Sequence, residues 1–451
     1  MSAAPGATAP AVTARAAVWH RYVLGLTWPV LLANLTIPMV GTVDTAVMGR
    51  LPDPAYIGAV AVGATIFSAL YWLFGFLRMG TTGLAAQAYG AANASELGAI
   101  AQRSLGLAIV IGGSLIVLQW PLQWLSFSLM GGSQSVANLA ADYYQLRIWG
   151  APAALGYLAV MGMLFGLQRM RDTLWLGLLL NVSNAVLDVL FVLGFDWGVQ
   201  GVAAGTVISE WTAALTGLWL LRRALRTQGI ELTPDRAAWQ SEALRKLLTL
   251  SGDLIIRSFF VQAPFFAYTA IGARLGDLVL AANAILMQFF FIMIYALDAF
   301  AHSAETLSGN AFGAADRARF ERSVRFTTFW AALLALMGGL LFGLASDPLI
   351  ALLTRSAEVQ QATAQYIGWL VIMPLASVWA FQLDGIFIGT TQSATMRNAM
   401  ALAFVAFLLV LGAALPTLDN HGLWLALLAF MLARAVLLGR RYPALVASIQ
   451  R

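Results

Sequence analysis

Apolar residues run along this chain in long blocks, not in narrow stripes. Leu105 to Leu118, Trp175 to Phe195, Phe326 to Leu344 and Ala399 to Leu415 are apolar around most or all of a helix, which means burial in lipid or protein on every face. Crossing the hydrocarbon core of a bilayer takes about 20 such residues. Cutting the sequence at charged and Gly/Pro-rich breaks predicts twelve spans, near residues 22–48, 57–82, 97–125, 137–167, 173–195, 199–222, 244–271, 278–305, 322–345, 360–390, 395–415 and 422–440. The pattern predicts an all-α integral membrane protein.

The spans fall into two related halves, separated by the most polar stretch, Arg222 to Lys246. One ungapped offset of 223 residues superposes Gly49 on Gly272, Phe67 on Phe290, Gly90-Ala91-Ala92 on Gly313-Ala314-Ala315, Tyr143 on Tyr366 and Gly166 on Gly389. It aligns loop glycines as well as spans, which chance matches between apolar segments would not. Six is an even number, so both halves enter the membrane in the same direction. Two six-helix bundles related by a pseudo-two-fold axis along the membrane normal are expected, with a cavity between them for alternating access. The domain reading is a disordered cytoplasmic tail over 1–20, an N-terminal bundle over 21–226, a cytoplasmic linker over 227–243, and a C-terminal bundle with a short cytoplasmic tail over 244–451.

Composition agrees. Hydrophobic residues make up 60% of the 451 and charged ones 10%, against about 25% charged in a soluble domain. With no cysteine, disulfides and thiol chemistry are excluded, and the three histidines (His20, His302, His421) lack metal-ligand spacing. Of the 26 Lys and Arg, roughly 20 fall on one side of the predicted spans. Arg50, Arg274 and Arg355 fall on the other, and Arg78, Arg147 and Arg257 lie within spans. The net charge of +5 is thus a positive-inside bias, not a nucleic-acid signal. It puts both termini in the cytoplasm of a multi-pass protein of the inner (plasma) membrane. Met1 to Ala14 has no apolar core of a signal peptide. Tryptophans such as Trp19, Trp28, Trp120, Trp124 and Trp369 are expected as interface anchors.

Several motifs then fall into a known order. Asp44-Thr45-Ala46-Val47-Met48-Gly49-Arg50 ends the first span; Phe76-Leu77-Arg78-Met79-Gly80-Thr81-Thr82-Gly83-Leu84 and Gln87-Ala88-Tyr89-Gly90 end the second. Tyr295-Ala296-Leu297-Asp298 through Glu305 to Gly309 lies in the eighth, and Leu383-Asp384-Gly385-Ile386 in the tenth. From Arg21 to Arg440 the chain resembles the multidrug and toxic compound extrusion (MATE) transporters, in particular the DinF-like branch. The resemblance implies export of amphipathic, often cationic compounds driven by inward flow of protons or sodium ions, with the DinF likeness leaning toward protons.

Ionisable groups inside spans cost several kcal/mol each and are the default functional candidates. Here they are Asp44, Asp188, Glu210, Asp253, Asp298, Glu305 and Asp384. Asp44 shares the first span with Pro29 and Pro38, each of which removes a backbone hydrogen bond and weakens the helix locally. Asn184 and Asp188 are four apart on one face with Asn181 close by, and Thr206 and Glu210 are likewise four apart. Together they predict a polar pocket inside the N-terminal bundle, or else groups that merely satisfy one another between helices. The resemblance puts Asp44, Asn184, Asp188 and Thr206 at the family's N-lobe cation site; Glu210 is carried on position alone. Two carboxylates in a low-dielectric pocket resist being charged together, so one is expected to hold a proton near neutral pH. Their oxygens, with those of Asn184, also suit Na+. No other metal and no cofactor is implied.

The other half carries substrate or gate candidates. Asp253 and Arg257, four apart, are expected as a within-helix pair. Asp384 has no partner in its own span and is the stronger candidate. Asp298, His302 and Glu305 share one face, read as an interfacial network in preference to a proton relay. Arg78 holds a cytoplasmic gate or snorkels to the interface. At the 223-residue offset Asp44, Asp188 and Glu210 meet Ala267, Leu411 and Ala433, so the halves are functionally unequal.

The expected function is a secondary antiporter for amphipathic, cationic small molecules, monomeric, with the bilayer and the substrate as its partners. A lipid-precursor flippase or organic-acid exporter is the alternative. In-span acids outnumber in-span bases seven to three on this assignment, which favours cationic cargo. An enzyme is not expected, because no phosphate loop, zinc-protease helix or nucleophile elbow occurs.

Overall fold

The computed structural model describes residues 10–11, 13–51, 53, 55–129, 134–232 and 239–449. The far N-terminal tail, part of the expected linker, and the side chain of Pro38 lie outside the described residues. Among those described the chain is helical throughout. The helices are α1 (Ala16–Met48), α2 (Ala55–Leu73), α3 (Phe76–Gly90), α4 (Ala94–Val117), α5 (Gln119–Leu129), α6 (Gln134–Arg147), α7 (Ala151–Gly166), α8 (Met170–Asp188) and α9 (Gly198–Arg226). There follow α10 (Ser241–Arg274), α11 (Asp277–Gly313), α12 (Arg317–Leu344), α13 (Ser346–Leu353), α14 (Ala357–Gly389) and α15 (Ser393–Ser448).

Nine stretches of the described residues are long and apolar enough to cross a membrane. Breaks at Phe74–Gly75 and at a 3₁₀ turn, Ile148–Gly150, divide two of these without ending them. The 56-residue α15 is two helices fused across Asp419, whose backbone leaves the helical region. With α1 and α9 the spans number twelve, in two sets of six. Helix α1 begins at Ala16, inside the stretch expected to be tail.

The chain forms two compact units, one of residues 32–247 and one of residues 7–31 with 248–451. Each draws on part of α1. Within the second unit, Trp19 is fully buried and stacks on Phe326 at 5.9 Å, Trp330 Nε1 donates to His20, and Thr27 shares a 2.8 Å hydrogen bond with Ser303. Trp19 is therefore a core residue, not an interface anchor. Its indole finds more contact inside than a headgroup layer offers.

The internal repeat extends to the backbone. Non-glycine residues with positive φ occur at Ala92, Gln168 and Asp196, and again at Ala315, Thr391 and Asp419, the same 223-residue offset. The helix starts that follow repeat as well: Asn93 accepts from the Glu96 amide and Asp316 from the Arg319 amide, each satisfying a first-turn N–H. Gly162 and Gly166 pair with Gly385 and Gly389 in the same way. A Cβ at Gly162 would lie 2.6 Å from the Arg78 carbonyl, and one at Gly385 2.3 Å from that of Ala301. Each Gly-xxx-Gly lets α7 touch α3, or α14 touch α11, backbone to backbone, as small residues do where lipid supplies no hydrophobic drive between helices. Gly385→Leu and Gly162→Leu should each lower the melting temperature in detergent markedly, overpacking of this kind costing about 1–3 kcal/mol or more. Gly368→Ala, where a Cβ meets nothing within 4 Å, should leave it nearly unchanged.

Candidate cation site and buried charge clusters

In the first unit the polar groups converge where three helices meet. Asp188 is the last residue of α8, before a π-helical turn, Val189–Gly194; such turns often mark functional sites. The turn is held by the ring stack of Phe191 on Trp197 at 4.9 Å. Helix α9 crosses against it through Gly201 and Gly205, and a Cβ at Gly205 would lie 2.4 Å from Asp188 Oδ1. Glycine at 205 leaves the space that the carboxyl occupies. Asp44, from the C-terminal part of α1, is half-buried beside Asp188. Asn184 Nδ2 donates to Thr206 Oγ1 at 3.1 Å and to Asp188 Oδ1 at 3.4 Å. Asn181 Nδ2 donates to Thr36 Oγ1 at 2.7 Å, joining α8 to α1. Asp44 Oδ1, Asp188 Oδ2 and Asn184 Oδ1 are buried with no hydrogen-bond partner among the described residues. Orphaned buried acceptors are rare and costly. Two carboxyls and an amide oxygen, all acceptors, are what a proton or small cation requires.

Glu210 belongs to the same region in a different role. Arg147 binds it with both terminal nitrogens, at 2.7 and 2.5 Å, and both side chains are over nine-tenths buried. Of the acids expected in the polar pocket, Asp44 and Asp188 form a pair, and Glu210, carried on position alone, is held in an ion pair with Arg147.

In the second unit Asp384 and Asp253 are bound by arginine, although Asp384 Oδ1 is buried without a hydrogen-bond partner among the described residues. Asp384 Oδ2 accepts from Arg257 Nη2 at 2.6 Å and also from Arg434 Nη2. Asp253 accepts from Arg397 Nη1 at 2.5 Å and from Ser393 Oγ at 2.8 Å. The expected within-helix Asp253–Arg257 pair gives way to these contacts between helices, and Asp384 is not a lone carboxylate. Arg434, inside the predicted span 422–440 yet not among its three expected in-span bases, is 1% exposed. With Arg103 buried as well, the excess of acids over bases narrows from seven to three to seven to five. His302 stands between Asp298 at 3.4 Å and Glu305 at 3.5 Å, the network expected on that face. Arg78 is half-buried with its guanidinium 5.8 Å from the Phe165 ring centroid. Among the described residues no group of three or more His, Cys, Asp and Glu could hold a metal ion.

Twelve apolar spans in two repeated units, with a pair of carboxylates buried side by side in one of them, define a polytopic membrane transporter for small molecules. The chain belongs to the MatE family, whose model matches residues 29–190 and again 254–414, once in each half. It is 42% identical over 420 residues to DNA damage-inducible protein F of Escherichia coli (strain K12), covering 93% of this chain and 90% of that one. Protein DETOXIFICATION 44, chloroplastic, of Arabidopsis thaliana is 27% identical over 431 residues, covering 92% and 80%. Among solved structures, the Vibrio cholerae MATE transporter VcmN in the bent form superposes with a TM-score of 0.85 at 20% identity, covering 96% of this chain and 98% of that one. A MOP superfamily transporter from Pyrococcus furiosus, described as having a binding pocket of reverse polarity, gives 0.83 at 17%. Fold and relatives alike are those of transporters, not of enzymes. Gly205→Ala should lower transport far more than it lowers the folded fraction, because its methyl group chiefly displaces one carboxyl oxygen, with the Asp188 backbone nitrogen at 3.3 Å giving by a few tenths of an ångström; size-exclusion profiles and vesicle uptake together check this.

Proposed function

We propose that this chain is a secondary active antiporter of the inner (plasma) membrane, with both termini cytoplasmic, exporting amphipathic cationic small molecules in exchange for protons (or Na+). The observation that carries the reading is the contrast between acids: Asp44 and Asp188 lie side by side, buried, with no ion pair to an arginine among the described residues, whereas Glu210, Asp253 and Asp384 are each bound to arginine. The pair alternates between a proton taken up outside and the positive end of a cargo taken up inside. Asn184 and Thr206 orient it, and the Asn181–Thr36 bond ties its movement to α1. Sodium coordination would use the same oxygens. Each proton moving down about 100 mV supplies roughly 2.3 kcal/mol, close to a fiftyfold ratio for an uncharged cargo. The protein acts as a monomer with no cofactor.

One observation favours a second reading, export of an organic acid. Arg257 and Arg434 are both buried around a single carboxylate, and the Pyrococcus furiosus relative by fold is described as having a pocket of reverse polarity.

The test uses protein reconstituted in vesicles, with pH and sodium gradients imposed separately and efflux of ethidium followed. Efflux driven by the pH gradient in wild type, and lost at least tenfold in Asp44→Asn and Asp188→Asn, is the expected result. Efflux indifferent to both substitutions would overturn the coupling pair. Gradient-driven movement of an organic anion, with none of ethidium, would put the second reading first.

A further inference from the structure

We propose that Arg147, anchored by Glu210, is a positioning residue: a fixed internal cation that sets how tightly the Asp44–Asp188 pair holds its own cation. The inference rests on the coupling reading above and deepens it.

Arg147 ends α6, at the carbonyl end of the helix, where a positive charge is favoured. The 3₁₀ turn that follows brings Gly150 against the ion pair. A Cβ there would lie 2.3 Å from Glu210 Oε2 and 2.7 Å from Arg147 Nη1, so no other residue fits without moving the pair. The guanidinium also sits over the rings of Phe67 at 5.0 Å and Tyr71 at 5.3 Å, and donates to the Tyr71 hydroxyl at 3.4 Å. It is therefore held on three sides. The charged and titratable groups facing it are Glu210 from α9, Tyr71 from α2, Tyr143 from its own helix, Asp44 from α1 and Asp188 from α8.

Held this way, Arg147 stands near the aspartates without bonding to either: Asp188 packs against Gly205 of α9, and Glu210, which holds the guanidinium, is five residues further along the same helix. An arginine stays charged throughout the physiological range, so its contribution is constant while the aspartates change state. Glu210 does two things. It cancels most of the arginine's charge, and it keeps the guanidinium from swinging onto Asp44 and Asp188, where it would fill the site as a tethered cation. Stability alone is a poor reason to bury such a pair, because well-packed apolar residues serve as well or better. A pair placed beside two aspartates with orphaned oxygens has an electrostatic use.

The test reads the aspartates directly and needs no cargo. The infrared band of protonated carboxyl is titrated against pH in purified protein, and the part due to the pair is identified by its loss in Asp188→Asn. Glu210→Gln leaves Arg147 uncancelled, which favours the ionised aspartates, so the midpoint should fall by about one pH unit, the size of a unit charge felt across an effective dielectric of about 20. Arg147→Gln leaves a third carboxylate and should raise it. The double variant restores the charge balance and should return the midpoint close to wild type, a result that a merely structural pair would not give. Midpoints that coincide in all four proteins, each shown folded by its melting profile, would overturn the inference alone. Failure of wild type to show any titrating carboxyl lost in Asp188→Asn would overturn the coupling reading and this inference with it.

Discussion

A carboxylate inside hydrocarbon must be paired, protonated or occupied, and most of the polar architecture of this protein follows from that. The second unit meets the demand with arginine: Asp384 and Asp253 each receive guanidinium nitrogens across helices. Breaking one such pair would leave a buried charge at a cost of about 3–5 kcal/mol, which makes these contacts fixed members of the packing. The first unit meets the demand at Glu210 and leaves it unmet at Asp44 and Asp188. That difference, more than the number of acids, distinguishes the two units.

The two units share a backbone and divide their chemistry. Turn residues with positive φ, helix-starting Asn93 and Asp316, and the Gly-xxx-Gly contacts all recur at one offset. No charged member of the cation site does. Duplicated features are those that hold helices at fixed distances, where any change is penalised equally in both copies. The space made by Gly205, the π-helical turn after Asp188 and the ion pair against Gly150 occur in the first unit, around the Asp44–Asp188 pair.

The fold was legible because its signals are local. Long apolar blocks, Gly/Pro breaks and basic loops can be read within about 20 residues, and the repeat could be read from loop glycines. Asp44, Asn184, Asp188 and Thr206 were legible as lone polar residues in apolar blocks with helical spacing. Pairing was not. Arg257 and Asp384 are 127 positions apart, Arg397 and Asp253 144, and nothing along the chain brings them together. Arg434 lies inside the predicted span 422–440 but was counted with the basic residues of the cytoplasmic end, because near the chain end an arginine reads as an anchor; its burial by the helices around α15 is what corrects the count. Arg147 was visible as an in-span base, but Glu210 lies on another helix, and Gly150 reads as an ordinary helix break.

The claim on which the account stands is that one pair of carboxylates serves the coupling cation and the cargo in turn. It is tested most directly by measuring proton release when ethidium binds to purified protein in weakly buffered detergent solution. The account predicts release from wild type and none from the Asp44→Asn/Asp188→Asn double variant. Equal release from both proteins, or ethidium bound by wild type with neither a proton nor Na+ displaced, would contradict it.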